Sequence, residues 1–284
     1  MTPLLIRDRE ALAVALNDLP SPRGVVMTMG ALHAGHLDLV RAAAARGGTV
    51  IVTVFVNPLQ FGPDEDFAAY PRTLDDDLRV LGELSPAVVY APSAADMYPS
   101  GAPAVRLDPG DLGNVYEGAI RPGHFAGVLT VVAKLLARTR AEVAYFGRKD
   151  AQQLALVRQM VRDLDLPLEI VAVPIRRDPD GLALSSRNRY LSPEQRVQAL
   201  ALPRALDAAV ALAADGAPPA AMRRAALAVL TAAPRVEVDY FDVVDATTFR
   251  RVGARAAGEG LAIGAIRVGG TRLIDNASVS LGGR

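Results

Sequence analysis

Three histidines occur in the 284 residues, and two of them stand three apart in Met29-Gly30-Ala31-Leu32-His33-Ala34-Gly35-His36. Two imidazoles at that spacing, beside glycines that allow close backbone approach, can present two donors to a phosphate resting on a helix N-terminus. Metal ligation or a chance surface pair would use the same residues. Among 31 basic residues only Lys134 and Lys149 are lysine, so the Lys kept in Gly147-Arg148-Lys149-Asp150, ahead of Gln152-Gln153, carries some information. A Lys and an Asp at a helix start suit a triphosphate and its Mg²⁺, with a solvated ion pair as the plain alternative. In Leu184-Ser185-Ser186-Arg187, consecutive hydroxyls and a guanidinium suit phosphate, although a helix cap with exposed arginines needs the same types. Asn57-Pro58-Leu59-Gln60 offers two amides for a small polar substrate, or simply a turn. Arg121-Pro122-Gly123-His124 reads in isolation as a turn followed by a satisfied core histidine. For Asp75-Asp76-Asp77 the helix dipole supplies an adequate structural reason.

These groups need elements to hold them. Residues 24–29 and 49–56 read as buried strands, the second β-branched and almost continuously apolar, as suits a sheet covered on both faces. Between them a helix-forming run ends at Gly47-Gly48. Thr73 with Asp76 predicts a capping box opening a helix to about Leu84, followed by a strand over 87–92. Residues 93–122, rich in Pro, Gly and Asp, read as a long irregular connection. A helix through Phe125–Leu136, a strand over 142–147, a helix through Leu154–Leu164 and a strand over 168–175 continue the alternation. Such alternation implies an α/β, doubly wound parallel sheet, with ligands at the carboxyl ends of its strands. The pattern then changes. Ser192-Pro193-Glu194-Gln195 is a helix start with Ser at N-cap, Pro at N1 and Gln at N3. Helices over about 193–214 and 218–232 precede three strand-like segments with no helix between them. The expected division is therefore 1–177 and 178–284, the second a smaller α+β domain.

Composition narrows the function classes. The chain is 51% hydrophobic and 22% charged, with 31 basic and 31 acidic residues, so no global field draws it to nucleic acid or an anionic membrane. With no cysteine, disulfides, a thiolate nucleophile and Cys-ligated zinc are excluded. No signal-peptide core is visible near the N-terminus, and no run of about 18 uncharged apolar residues occurs, so the expectation is a soluble cytoplasmic protein.

Taken together, the strings MGALHAGH, FVNPLQFG, YPRTLDDD, RPGHFAGV, FGRKDAQQ and DGLALSSRNRYL resemble the pantothenate synthetase (pantoate–β-alanine ligase) family of the HxGH nucleotidyltransferase superfamily, across most of residues 24–191. HxGH alone marks only the superfamily; its order with FVNPLQF, KDxQQ and SSRN is specific. The resemblance implies a Rossmann-like N-terminal domain, a C-terminal lid, a homodimer, and ATP-dependent joining of pantoate and β-alanine through a pantoyl adenylate. It implies that His36 and His33 stabilise developing charge, and that Met29, Gly30, Ala31, Leu32, Ala34 and Gly35 line the nucleotide site with them. It further implies that Gly147, Arg148, Lys149, Arg176, Leu184, Ser185, Ser186 and Arg187 contact ATP, and that Asp150 lies near Mg²⁺. Gln60 and Gln153 would hold pantoate, supported by Asn57, with Arg121 assisting. This chain departs from the family pattern at Met27 (commonly Pro), Arg148 (usually Glu), Ala151 (commonly aromatic) and Arg176 (often Val). None of these removes a group implied to act.

Overall fold

The computed structural model describes residues 3–63, 65 and 67–282. Contacts divide the chain into two compact units, one of residues 1–148 and 152–174, the other of residues 149–151 and 175–284.

The first unit is an α/β layer. In chain order it holds β1 (Leu4–Ile6), α1 (Arg9–Asp18), β2 (Arg23–Thr28), α2 (Ala34–Arg46), β3 (Thr49–Val54), α3 (Leu74–Gly82) and β4 (Val88–Tyr90). It continues with α4 (Ala94–Met97), α5 (Glu117–Ile120), α6 (His124–Thr139), β5 (Val143–Gly147), α7 (Ala151–Asp163) and β6 (Glu169–Val173). The six strands are all parallel, in the order β1-β4-β3-β2-β5-β6. Alternate side chains of each strand enter opposite cores. Val25, Ile51 and Ala144 pack with α1, α6 and α7, whereas Val26, Val52 and Tyr145 pack with α2 and α3. This is the doubly wound arrangement, and its order reverses between β2 and β5. The two strand ends there leave a crevice into which their following loops open.

Two features differ from the sequence-based expectation. β1 and α1 add an edge to the sheet; a three-residue strand is too short to show periodicity, and α1 buries only Leu12 and Leu16. The capping box at Thr73 does not form: Thr73 makes no side-chain cap, and its hydroxyl lies 3.4 Å from Asp77 Oδ2 instead. Residues 93–122 are irregular apart from α4, a 3-10 turn and α5.

The second unit holds α8 (Pro193–Ala199), α9 (Ala201–Ala214), α10 (Pro219–Ala232) and the antiparallel meander β7 (Val236–Asp245), β8 (Gly258–Val268) and β9 (Thr271–Leu281). It is the smaller α+β unit. At its start the box at Ser192 forms in full: the Gln195 N–H donates to Ser192 Oγ at 3.2 Å, and the Ser192 N–H to Gln195 Oε1 at 2.9 Å. The stretch read as one helix over 193–214 is two, broken at Leu200. Pro203 explains the break, since its ring would meet the carbonyl of Ala199 four residues earlier. By length and hydropathy Pro193–Ala214 is apolar enough to cross a bilayer. It is instead a core element, with Leu202, Leu206 and Ala209 buried against Phe241 and Ile266.

Candidate active site

At the carboxyl end of β2 the chain turns sharply before α2. Gly30 has φ +82°, and a Cβ there would stand 3.0 Å from Asp77 Oδ2, so the position requires glycine. Ala31 follows with φ 50°. The turn is braced from below. The Gly30 N–H donates to Thr28 Oγ1 at 3.2 Å, and the Ala31 and Leu32 N–H groups donate to the two oxygens of Asp77 at 3.1 and 2.8 Å. Three consecutive backbone donors are thus directed into the protein. What this end of the sheet offers an anion is therefore the first turn of α2 and the imidazoles that flank it. His33 is the N-cap of α2, and its ring stacks on that of His36 with centroids 4.0 Å apart. The His33 N–H lies 3.3 Å from His36 Nδ1, which accepts, so the neutral His36 ring carries its proton on Nε2.

Asp77 is a residue that sequence reasoning missed. It is 3% exposed, at the fourth position of α3, on the face shared with buried Leu81. An acid on the apolar stripe of an amphipathic helix was the available signal; its place in a run of three aspartates hid it. A cavity of about 300 Å³ lies beside it, lined by Met29, Gly30, Val56, Arg72 and Thr73 among others.

After β3, Asn57 caps the 3-10 turn Pro58–Gln60 and is buried. Its Nδ2 lies 3.2 Å from Gln60 Oε1, and Gln60 Nε2 lies 3.1 Å from Met29 Sδ, so Met29, Asn57 and Gln60 form one cluster. Arg121 joins through the main chain. Its guanidinium makes a two-point ion pair with Glu65 at 2.7 and 2.6 Å and donates to His124 Nε2 at 2.9 Å, with the Gln60 carbonyl 3.4 Å away. Glu65 is held below the usual carboxylate range by this partner, against the opposing effect of its burial. Burial, reinforced by the Arg121 charge, pushes His124 down to about 4. The neutral ring therefore accepts from Arg121 at Nε2 and donates from Nδ1 to the Gln60 carbonyl at 2.8 Å. Of the glutamine pair opening α7, Gln152 is buried and committed to Leu112, Val115 and Glu117, which leaves Gln153 on the partly exposed side. Gly147 ends β5, and the Arg148 N–H donates to the Val173 carbonyl at 2.9 Å.

The remaining candidates belong to the second unit. The Lys149 carbonyl accepts from Asn276 Nδ2 at 3.0 Å. Asp150 is exposed. Arg176 and Leu184 are paired through their backbones, the Leu184 N–H donating to the Arg176 carbonyl at 2.9 Å. Ser185 caps a 3-10 turn by accepting from the Arg187 N–H at 3.3 Å, and the Ser186 carbonyl accepts from Arg189 Nε. The capping reading thus holds for Ser185, and its hydroxyl proton remains able to donate. Among the described residues no group of three or more His, Asp or Glu side chains could hold a metal ion. A lone exposed carboxylate suits a metal that arrives on a nucleotide, with phosphates and water completing the shell.

Against known proteins, residues 5–278 match the family described as Pantoate-beta-alanine ligase. The pantothenate synthetase of Acidothermus cellulolyticus is 55% identical over 96% of this chain and 91% of its own length. That of Salinispora arenicola is 54% identical over 98% of each. Among solved structures, a pantothenate synthetase from Thermus thermophilus superposes with a TM-score of 0.90 at 46% identity, covering 96% of this chain and 98% of that one. A pantoate-β-alanine ligase from Francisella tularensis, complexed with β-γ ATP and β-alanine, gives 0.79 at 32% identity over 97% of each. The chain belongs to the pantoate–β-alanine ligase family, and it is an ATP-dependent ligase that joins pantoate to β-alanine to give pantothenate, AMP and pyrophosphate.

Proposed function

We propose that both steps of this reaction run at the end of the parallel sheet, with the chain's own residues acting by charge stabilisation and positioning. In the first step a pantoate carboxylate oxygen bonds to the α-phosphorus of ATP while the bond to the bridging oxygen breaks and pyrophosphate leaves. In the second the β-alanine amine bonds to the acyl carbon, AMP departs and the nitrogen gives up a proton. Neither step needs a protein nucleophile, which suits a chain without cysteine.

His36, with Nδ1 occupied by the His33 N–H, offers Nε2–H to the charge that develops on the phosphates, and His33 flanks it. Met29 through Gly35 form the wall of the nucleotide site. Gly147 and Arg148 line the same crevice from the adjacent strand. Lys149, Ser185, Ser186 and Arg187 supply cationic and hydroxyl donors to the triphosphate, with Leu184 also at the nucleotide and Arg176 on the adenine side. The second unit acts as a lid that carries these donors. Gln60 and Gln153 hold pantoate, Asn57 fixes Gln60, and Arg121 serves the substrate region by fixing Glu65 and His124. Asp150 would hold the Mg²⁺ that accompanies ATP, which would supply neutralisation of phosphate charge. The enzyme works as a cytoplasmic homodimer, a reading that rests on the family resemblance and is checked by sedimentation.

The observation that carries this reading is the braced turn into α2, which leaves imidazoles and a helix N-terminus as the donors at the sheet's switch point. The test is an ATP/Mg²⁺ assay scored for pyrophosphate and AMP. Pyrophosphate should require pantoate, and AMP release should require β-alanine as well. In single-turnover reactions, His36→Ala and Lys149→Ala should each slow adenylate formation by roughly 10²-fold or more, the scale for losing a preorganised donor. Near-normal adenylation in either folded variant would reject that residue's role.

A further inference from the structure

A primary amide has one end that donates and one that accepts, and the end that Gln60 turns to a ligand decides what that ligand must offer. Asn57 makes that choice. It is 1% exposed, and the four hydrogen bonds of its side-chain amide are all made within the protein. Oδ1 accepts from the Tyr98 hydroxyl at 2.8 Å and from the Leu59 N–H at 3.3 Å. Nδ2 donates to the Gly127 carbonyl and to Gln60 Oε1, both at 3.2 Å. A backbone N–H can only donate and a carbonyl only accept, so Asn57 cannot be turned over without setting like against like. With Oε1 turned to Asn57, the orientation of the Gln60 amide is set and its Nε2 hydrogens are the donors it offers a ligand. Nε2 lies 3.1 Å from Met29 Sδ, a weak acceptor that an oxygen replaces readily.

Of these four bonds the one from Tyr98 is the shortest, and its donor is rigid. The ring is buried, lies 6.1 Å from that of Phe55, and has the Lys134 ammonium 5.6 Å from its centroid. Burial pushes the hydroxyl up to about 12, so it keeps its proton under any working condition.

The geometry points to Tyr98 as a positioning residue for the acid substrate: acting through Asn57, it holds Gln60 so that its Nε2–H donors are turned to the ligand, and the group they receive is an oxygen acceptor. This rests on the reading that Gln60 contacts pantoate.

Steady-state kinetics of the full chain, with pantoate, ATP and β-alanine varied in turn, test both layers. Tyr98→Phe keeps the ring and its packing. Loss of one neutral hydrogen bond should raise KM for pantoate about three- to tenfold while KM for ATP and the melting temperature stay nearly unchanged. Gln60→Glu, which cannot donate, should be at least as damaging to pantoate kcat/KM as Gln60→Ala. A Tyr98→Phe enzyme with an unaltered pantoate KM, or with pantoate and ATP affected alike, overturns the positioning role. A Gln60→Glu enzyme near wild type overturns the donor assignment. If Gln60→Ala itself leaves pantoate KM unmoved, the underlying contact is wrong, an outcome distinct from a damaging Gln60→Ala beside an innocuous Tyr98→Phe.

Discussion

Individual residues here work mainly by using up one another's hydrogen-bonding capacity. Asp77 absorbs the N–H groups of Ala31 and Leu32, so the turn after β2 has one shape before any ligand arrives. Asp77→Asn replaces one acceptor by an NH₂ that faces a backbone donor. It should destabilise the protein by about 1–3 kcal/mol, the cost of an unsatisfied buried group, and weaken ATP use about tenfold with pantoate KM less affected. Denaturant titration beside substrate-specific kinetics reads the two effects separately. His124 is a second case. Its folded value of about 4 lies below the ordinary 6.5, so the unfolded chain takes up a proton first as the pH falls. Stability from this group is complete above about pH 6.5 and is lost between there and about pH 4, on the order of 3 kcal/mol in all. Acid titration of unfolding free energy should show that slope, and His124→Gln should flatten it.

At the scale of elements, the pantoate side of the candidate site depends on how closely α6 approaches the 3-10 turn at Pro58–Gln60. A Cβ on Gly127 would lie 2.1 Å from the Leu59 carbonyl oxygen and 2.8 Å from the Gln60 nitrogen, so the turn rests directly on the helix backbone. The same glycine's carbonyl accepts from Asn57. Gly127→Ala should raise the intrinsic helix propensity of α6 and still destabilise the protein by about 1–3 kcal/mol, because backbone must move to admit the methyl group. Since the displaced segment carries Gln60, pantoate kcat/KM should fall while ATP binding persists. Calorimetry paired with nucleotide titration distinguishes this from general unfolding; a fully active, more stable Gly127→Ala enzyme would show that the approach has slack. None of this was legible in the sequence, where Gly127 is one small residue within an apolar helix.

Across the whole molecule, each unit has a core of its own. The first packs α1, α6 and α7 on one sheet face and α2 and α3 on the other; the second packs α8–α10 against the meander. Leu206 on α9 is 1% exposed within the second core. Leu206→Ala should cost about 2–5 kcal/mol, read by denaturant unfolding and by accelerated amide exchange in α9 and β8. What the sequence alone determined was the order and type of the long elements, the parallel sheet followed by an α+β unit, and the clustering of polar motifs at strand ends. Hydrophobic periodicity and turn residues are local properties, and a chain displays them in one dimension. Tertiary structure decided the rest: that Asp77 braces a turn 46 residues away in sequence, that Arg121 is tied to Glu65 and His124, and that Tyr98 reaches Asn57 across 41 residues. Apart from the local Arg121–His124 contact, these pairings join elements distant along the chain, and their partners are chosen by packing, which no local pattern encodes.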